Sequence, residues 1–204
     1  MKKFMTMLLV FASVMLVCCG CGGKENGAEA ESKPAVQENP ADNQLLPANL
    51  KFGMSYEEAK STCSDISSYK TAINGGNTSV DLDLRFDKYE EFYNIDGDVL
   101  YADMMNGNGL VIDPSFYCYF NGSDELYELG VSTRTLENER PAEFLFNAYV
   151  AFCEEKMGTK PEVKESTSTL VAQWNTETVT VRVTLQESQG DCTISMIVHS
   201  KAFE

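Results

Sequence analysis

Alternating hydrophobic and polar residues mark the clearest strand in the first half of the chain. In the stretch SVDLDLRFDK, Val80, Leu82, Leu84 and Phe86 fall on one face and charged residues fall on the other. A period of two with one polar face is typical of a half-buried strand in an antiparallel sheet. Similar patterns or hairpin signals predict strands in GLVID, SFYCYF, ELYELGVS, STLVAQWN, TVTVRVTL and CTISMIVH.

Two segments have helical spacing instead. Ser55 and Glu58 have the spacing of a capping box, and apolar residues recur at helical intervals from there to Ile66. The second segment, EFLFNAYVAFCEEKM, follows Pro141 and precedes Gly158, which are typical of a helix start and a helix end. More than half of its circumference is apolar, so we expect it to be largely buried.

The elements therefore follow one another as helix, several strands, helix and three strands. Strands that are segregated from helices favour an α+β fold. We predict a curved antiparallel sheet with two helices packed on one face, built from two loosely duplicated halves of a helix and a meander. The opposite face is expected to be polar and to carry Asp81, Asp83, Arg85, Thr178, Thr180, Arg182 and Thr184.

One segment of the domain has no clear period. YEEFYNIDGDVLYADMMNGNG is interpreted as a hairpin or an insertion with a turn at Asp96-Gly97. It holds the aromatic residues Tyr89, Phe92, Tyr93 and Tyr101. Aromatic side chains in such a segment either fill the core or, if they are exposed, form the centre of a partner-binding surface. Both interpretations remain open at the level of the sequence.

The N-terminus has the pattern of an export signal. Lys2 and Lys3 precede an apolar run from Phe4 to Val17. This run is shorter than the roughly 20 residues that a membrane-spanning helix needs. Residues 1–20 are therefore predicted to be a signal peptide.

The stretch that follows resembles the cleavage site of bacterial lipoproteins. Cys21 follows Gly20, as that family requires, although Cys18 occupies the position where an aliphatic residue is usual. The resemblance implies that Cys21 carries the lipid anchor. Cys19 is the alternative anchor, and cleavage without lipidation is the remaining possibility. The chain is expected outside the cytoplasm, held at the membrane through its lipid only.

Composition separates a linker from a domain. Residues 22–47 are rich in Gly, Pro, Ala, Asn and acids and show no period, which predicts a disordered acidic tether after Cys21. Residues 48–204 are long enough for a single domain with its own core. Four cysteines of this domain either form two disulfides or are free and buried; they are Cys63, Cys118, Cys153 and Cys192.

The charge balance limits the class of partner. The chain has 16 Lys and Arg against 31 Asp and Glu, a formal net charge of −15. Removing Lys2 and Lys3 with the signal peptide leaves 14 basic residues, and the net charge becomes −17. Such a chain repels nucleic acid and anionic lipid. The expected partner is an envelope protein or a cell-wall component.

No pattern of catalytic residues is found in the sequence. The single histidine, His199, is near the end of the chain without a nucleophile motif around it, and no cofactor is predicted. Asp96, Asp98 and Asp103 are weak candidates for a cation site, because Phe92 stands where an EF-hand loop needs its first carboxylate.

Phe52-Gly53-Met54-Ser55 before the capped helix resembles the start of small outer-membrane-assembly lipoproteins and of the β-lactamase-inhibitory-protein repeat. This resemblance implies a non-enzymatic envelope domain. We therefore expect a binding or scaffolding module. The alternatives are a small-ligand or cation sensor and, as a third possibility, an envelope hydrolase with a carboxylate pair.

Overall fold

Eight antiparallel strands form one curved sheet that does not close, with helices packed against it, so the predicted α+β fold is confirmed. The computed structural model describes residues 37–107, 109–136 and 140–204. The strands are β1 (Thr71–Ala72), β2 (Thr78–Leu82), β3 (Leu110–Phe120), β4 (Leu126–Leu136), β5 (Glu162–Glu165), β6 (Thr169–Asn175), β7 (Val179–Ser188) and β8 (Asp191–Ser200). The α-helices are α1 (Tyr56–Thr62), α2 (Phe86–Tyr93), α3 (Gly97–Met105) and α4 (Arg140–Met157).

The strand order divides the sheet into two similar halves. Across the sheet the order is β1-β2-β3-β4-β8-β7-β6-β5. Within each half every strand pairs with its neighbour in sequence, and each half begins with a helix, α1 or α4. The halves meet where β4 pairs with β8, from Glu128 opposite His199 to Leu136 opposite Asp191. We call this pairing the β4–β8 seam.

The core lies between the sheet and the helices. Alternate residues of the central strands are fully buried on the helical side, such as Leu129 and Val131 of β4 and Ile194 and Met196 of β8. Helix α4 packs against β7 and β8. Its predicted start and end are confirmed, since Pro141 lies in its first turn and Gly158 follows it with a left-handed backbone.

The capping box that opens α1 is also confirmed. The Ser55 hydroxyl accepts a hydrogen bond from the Glu58 amide, and the Glu58 carboxylate accepts one from the Ser55 amide. Two residues earlier, Gly53 has a φ of +79°, and a Cβ atom there would lie 2.6 Å from the ring of Phe203. Glycine is therefore required in this turn by both its backbone and its packing.

The segment between β2 and β3 differs from the prediction. The alternating pattern through Phe86 predicted a longer strand, but β2 ends at Leu82 and α2 begins at Phe86; α3 then replaces the predicted hairpin. After Leu84 the apolar spacing changes from two residues to three and four, at Phe86, Tyr89 and Tyr93. Phe86 fits both patterns, and burial of the two tyrosines against the sheet favours the helix.

The domain begins before residue 48, which corrects the predicted end of the tether. A 3-10 helix spans Pro40–Leu45, and Leu45 and Leu46 are buried in the core. Two side-chain hydrogen bonds fix the segment: Asn43 Oδ1 accepts from the Phe52 amide at 2.8 Å, and Gln44 Nε2 donates to the Lys156 carbonyl at 2.6 Å. The sequence pattern missed this because only two apolar residues are involved.

The described residues all belong to one compact unit, Pro34–Glu204. The predicted signal peptide, Cys19, Cys21 and the tether up to residue 36 lie outside the described residues. None of the helices in the described ranges has the length and apolar character needed to cross a bilayer.

Candidate binding surface on the open face of the sheet

The side of the sheet opposite the helices is defined here as the open face. Its central row runs across six strands, from β2 to β6. The residues of this row stand side by side in the order Asp81, Tyr117, Gly130, Ile197, Arg182 and Gln173. The expected polar face is present in part: Asp81, Thr180, Arg182 and Thr184 lie on it, whereas Asp83, Arg85 and Thr178 lie outside the strands.

The open face also carries large apolar side chains, which the prediction of a polar face did not include. Tyr117 and Ile197 are 37% and 36% exposed, and they flank Gly130, which has no side chain. Towards the start of β3, Leu110 and Ile112 are 48% and 40% exposed. The ring of Tyr119 lies beside Gly130, 3.7 Å from where a Cβ atom would be. The centre of the face is thus shallow, with aromatic and aliphatic walls.

Two acid–base pairs connect the two halves of the domain across the open face. Near one end of the β4–β8 seam, His199 Nδ1 lies 2.9 Å from Glu128 Oε2. Near the other end, Arg134 forms an ion pair with Asp191. A carboxylate can only accept a hydrogen bond, so His199 Nδ1 carries the proton in its contact with Glu128.

A cavity of about 230 Å³ lies beside the first of these pairs. Strands β4, β7 and β8 supply its lining residues, which are Glu128, Thr180, Arg182, Ile197 and His199. Val181 and Val183 are fully buried on either side of Arg182, so the backbone that carries the guanidinium is anchored in the core.

Arg182 differs from the other arginines of the chain. Arg85 pairs with Asp87, Arg134 with Asp191, and Arg140 with Asp103. The Arg182 side chain makes no ion pair and no hydrogen bond with any residue in the described ranges, although it is exposed in a strongly acidic chain. The positive charge of this guanidinium is therefore available on the open face.

The aromatic residues that the sequence suggested as a binding surface do not form one. Tyr89 and Tyr93 are buried in the core, where the ring of Tyr93 packs between Phe116 and Tyr149. Phe92 is partly buried, with its ring centroid 5.1 Å from that of Phe152. Only Tyr101 is strongly exposed, at 63%. The helical spacing of α2 turns the first three inward, which corrects their assignment as partner-binding residues.

The weak cation candidates are not brought together either. Asp96 and Asp98 are exposed, and Asp96 Oδ1 accepts a hydrogen bond from the Asp98 amide at 3.1 Å, at the start of α3. Asp103 is buried, with Oδ1 3.4 Å from Arg140 Nε. Among the described residues, no group of three acidic, cysteine or histidine side chains has the geometry to hold a metal ion.

The cysteines of the domain are buried, and Cys63, Cys118 and Cys153 are free thiols, so the pair of disulfides left open by the sequence is absent. Burial raises the pKa of the Cys118 and Cys153 thiols to about 12. Both thiols are therefore protonated at neutral pH and are poor nucleophiles.

A second concave surface lies between residues 43–51 and α2, with a volume of about 790 Å³. Lys51, Lys88 and Lys156 line it. Lys88 Nζ is 2.8 Å from Asp65, and Lys156 Nζ is 2.9 Å from Glu155, so acids of the chain already compensate two of the three charges. The open face is the stronger candidate because it combines the uncompensated charge of Arg182 with exposed apolar side chains such as Tyr117 and Ile197.

The sequence placed Arg182 on a polar face but could not identify its lack of an acidic partner. The alternation of Val181 and Val183 fixes the direction of Arg182, whereas its neighbours come from strands that are distant in sequence. The contact between His199 and Glu128 was also not predictable from the sequence, since the two residues are 71 positions apart.

The chain matches no model of a protein family, and comparisons with curated proteins and with solved structures find no match either.

Proposed function

We propose that this chain is an extracytoplasmic lipoprotein whose domain is a non-enzymatic binding module, and that the open face docks another envelope protein. The observation that carries the proposal is the composition of this face. Four large apolar side chains, Leu110, Ile112, Tyr117 and Ile197, remain exposed beside an unpaired arginine, while the other face of the same sheet is covered by helices.

The chemistry of the open face fits a protein partner. Protein interfaces are enriched in Tyr and Arg and depleted of Lys and Glu at their centres. A strand face that only meets water needs no large apolar residues, and clusters of them on a soluble domain mark interaction surfaces. Tyr117 and Ile197 on either side of Gly130 provide a shallow seat for an apolar side chain of the partner.

The location follows from the N-terminal sequence. A signal peptide ending before Cys21 would export the chain, and a lipid on Cys21 would hold it at the membrane. A flexible linker of 15 residues, as the composition of residues 22–36 predicts, would have a reach of roughly 20–25 Å from the anchor by the square-root scaling of such linkers. The partner is therefore sought among proteins of the envelope.

Site-specific photocross-linking of the full chain in its source cell tests the docking surface. We expect p-benzoylphenylalanine in place of Tyr117 to give one dominant protein adduct. The matched control is the same replacement at Tyr101, which is exposed on α3 on the other side of the sheet, and which we expect to give no such adduct.

A second pair of variants makes the result specific. Ile197→Asp places a desolvated charge in the proposed interface, so it should abolish the adduct from position 117. Val163→Asp changes an apolar residue that is even more exposed, at 59%, on the edge strand β5, and it should leave the adduct intact. A dominant adduct from position 101, no adduct from position 117, or an adduct that a cell-wall hydrolase degrades would overturn docking of a protein on the open face.

A further inference from the structure

Among the described residues, none provides a counter-charge for the guanidinium of Arg182, although acids outnumber bases about two to one in the chain. Its three counterparts, Arg85, Arg134 and Arg140, all pair with aspartates. An arginine can hold a carboxylate through two parallel hydrogen bonds, which gives both strength and a fixed orientation. No carboxylate of the described residues pairs with Arg182, so a carboxylate from outside them can bind its guanidinium.

The acid among the residues that line the cavity, Glu128, already forms a hydrogen bond. Glu128 lines the same cavity as Arg182, but its Oε2 accepts from His199 Nδ1 at 2.9 Å. Glu128 and Arg182 are two strands apart, on β4 and β7, and they form no ion pair. The one acid that lines the cavity is therefore hydrogen-bonded to His199 and does not pair with Arg182.

A second carboxylate of the chain lies near His199, one of the residues that line the cavity. Glu204 Oε1 is 4.0 Å from His199 Nε2, and its side chain is 72% exposed. The guanidinium of Arg182 is the group of the lining that attracts a negative charge. Thr180, opposite His199 on β7, adds a hydroxyl oxygen to the lining.

The size of the cavity limits what it can accept. Its volume of about 230 Å³ is below the roughly 300–1,000 Å³ of typical small-molecule sites. A single side chain fits this space better than a free metabolite. Ile197 stands opposite Arg182 and borders both the cavity and the apolar centre of the open face, so an entering chain would contact apolar and charged groups together.

We propose that the cavity at Arg182 is a carboxylate-recognition site that receives a Glu or Asp side chain of the docked protein. Arg182 binds the carboxylate, and Ile197 contacts the methylene groups of the incoming side chain. This inference rests on the proposed function, because the acidic side chain belongs to the partner of the open face. Arg182 would thus select an acidic side chain of the partner, although the net negative charge of this protein repels acids elsewhere.

The test uses the ¹⁵N-labelled full chain in detergent and two probes that differ only in charge. These are the N-methylamides of N-acetylglutamate and of N-acetylglutamine. We expect the glutamate probe to give saturable shifts of the amides of Thr180, Arg182 and Ile197 and of the Arg182 Nε–H, and the glutamine probe to give none. Equal shifts with both probes, or shifts confined to lysine-bearing surfaces, would overturn the proposal.

Two arginine variants separate recognition from loss of charge. Arg182→Gln should weaken binding of the glutamate probe about tenfold, which corresponds to about 1.4 kcal/mol. Arg134→Gln removes the same charge from the same face but takes away an arginine that is already paired, so binding should change less than twofold. Both side chains are exposed, and unchanged melting temperatures would show that both variants fold. Equal weakening by the two variants would make the effect one of net charge alone.

The same variants distinguish failure of the site from failure of the function. If the adduct from position 117 forms equally well in Arg182→Gln and in the wild type, the open face docks a protein but the carboxylate site is wrong. If the glutamate probe binds at Arg182 while position 117 yields no adduct, Arg182 binds carboxylates, but the docking of a protein and the assignment of the carboxylate to that protein are wrong.

Discussion

Three buried hydroxyl groups form a short chain beneath the sheet. The hydroxyls of Tyr89 and Tyr149 are 2.8 Å apart, and that of Tyr149 is 3.3 Å from Thr133 Oγ1. Burial raises the pKa of Tyr89 to about 12 and that of Tyr149 well above its usual range. The phenols therefore stay neutral and serve as hydrogen-bonding core residues.

Tyr93 lies against this group but does not join it. Its hydroxyl is fully buried and has no hydrogen-bond partner among the described residues. A buried polar group without a partner keeps the desolvation cost of about 1–3 kcal/mol and gains nothing in return. Tyr93 therefore provides a large packed ring and a hydroxyl that opposes folding.

Two matched substitutions test this difference. Tyr93→Phe removes a hydroxyl without a partner, so we expect the free energy of unfolding to rise by about 1 kcal/mol. Tyr89→Phe removes the same atom from a hydrogen-bonded residue, so the free energy of unfolding should fall by about 1 kcal/mol. Urea denaturation of both variants at neutral pH measures the effects. A clear loss of stability in Tyr93→Phe would contradict the assignment.

Among the elements, those with a long and undisturbed period were predictable. Helix α4 and strands β7 and β8 follow 3.6-residue and two-residue patterns over 10 residues or more, and the structure has them where the pattern places them. The short strands β1 and β5 were missed because two and four exposed residues carry no period. Helix α2 was missed because its first residue also continued the alternation of β2.

The N-terminal 3-10 helix contains a buried acid with a consequence for pH. Burial raises the pKa of Asp42, and hydrogen bonds from Thr178 and Asn39 partly oppose this. The folded domain therefore holds this proton more tightly than the unfolded chain does. Stability contributed by Asp42 is present at low pH and is lost as the pH rises through the folded-state pKa.

Asp42→Asn removes this ionisation while keeping the shape of the side chain. We expect the variant to melt at a higher temperature than the wild type at pH 7 and at a similar temperature at pH 4. Melting curves of both proteins across this range measure the difference, and Asp81→Asn on the exposed sheet face is the control. If the melting temperatures of the variant and the wild type differed by the same amount at pH 7 and at pH 4, the ionisation of Asp42 would not affect the packing of the 3-10 helix.

On the scale of the whole molecule, the proposed lipid anchor lies in residues that precede the domain. If Cys21 carries the lipid as proposed, Cys21→Ser should move the chain from the membrane fraction to the soluble fraction, because no other thiol would then hold the diacylglycerol. Cys19→Ser is the matched control and should leave the chain in the membrane fraction. Fractionation with immunoblotting of the full chain measures both. Membrane retention in Cys21→Ser together with release in Cys19→Ser would move the anchor to Cys19.

The candidate site was less predictable than the fold. The sequence gives the direction of each strand residue, so the polar nature of the open face could be anticipated from Thr180 and Arg182. The register between β4, β7 and β8 decides which charges meet, and register depends on contacts between distant parts of the chain. The unpaired state of Arg182 therefore became visible only in three dimensions, as did the burial of Tyr89 and Tyr93.

The β4–β8 seam also implies an order of events during folding. Within each half, the paired strands are neighbours in sequence, whereas Glu128 and His199 of the seam are 71 residues apart. Closing this long loop costs more chain entropy than forming either meander, so we expect the seam to pair last. Until then β4 is an unprotected edge. The strand β8 of a second chain could complete it as well, so slow closure favours domain-swapped dimers at high concentration.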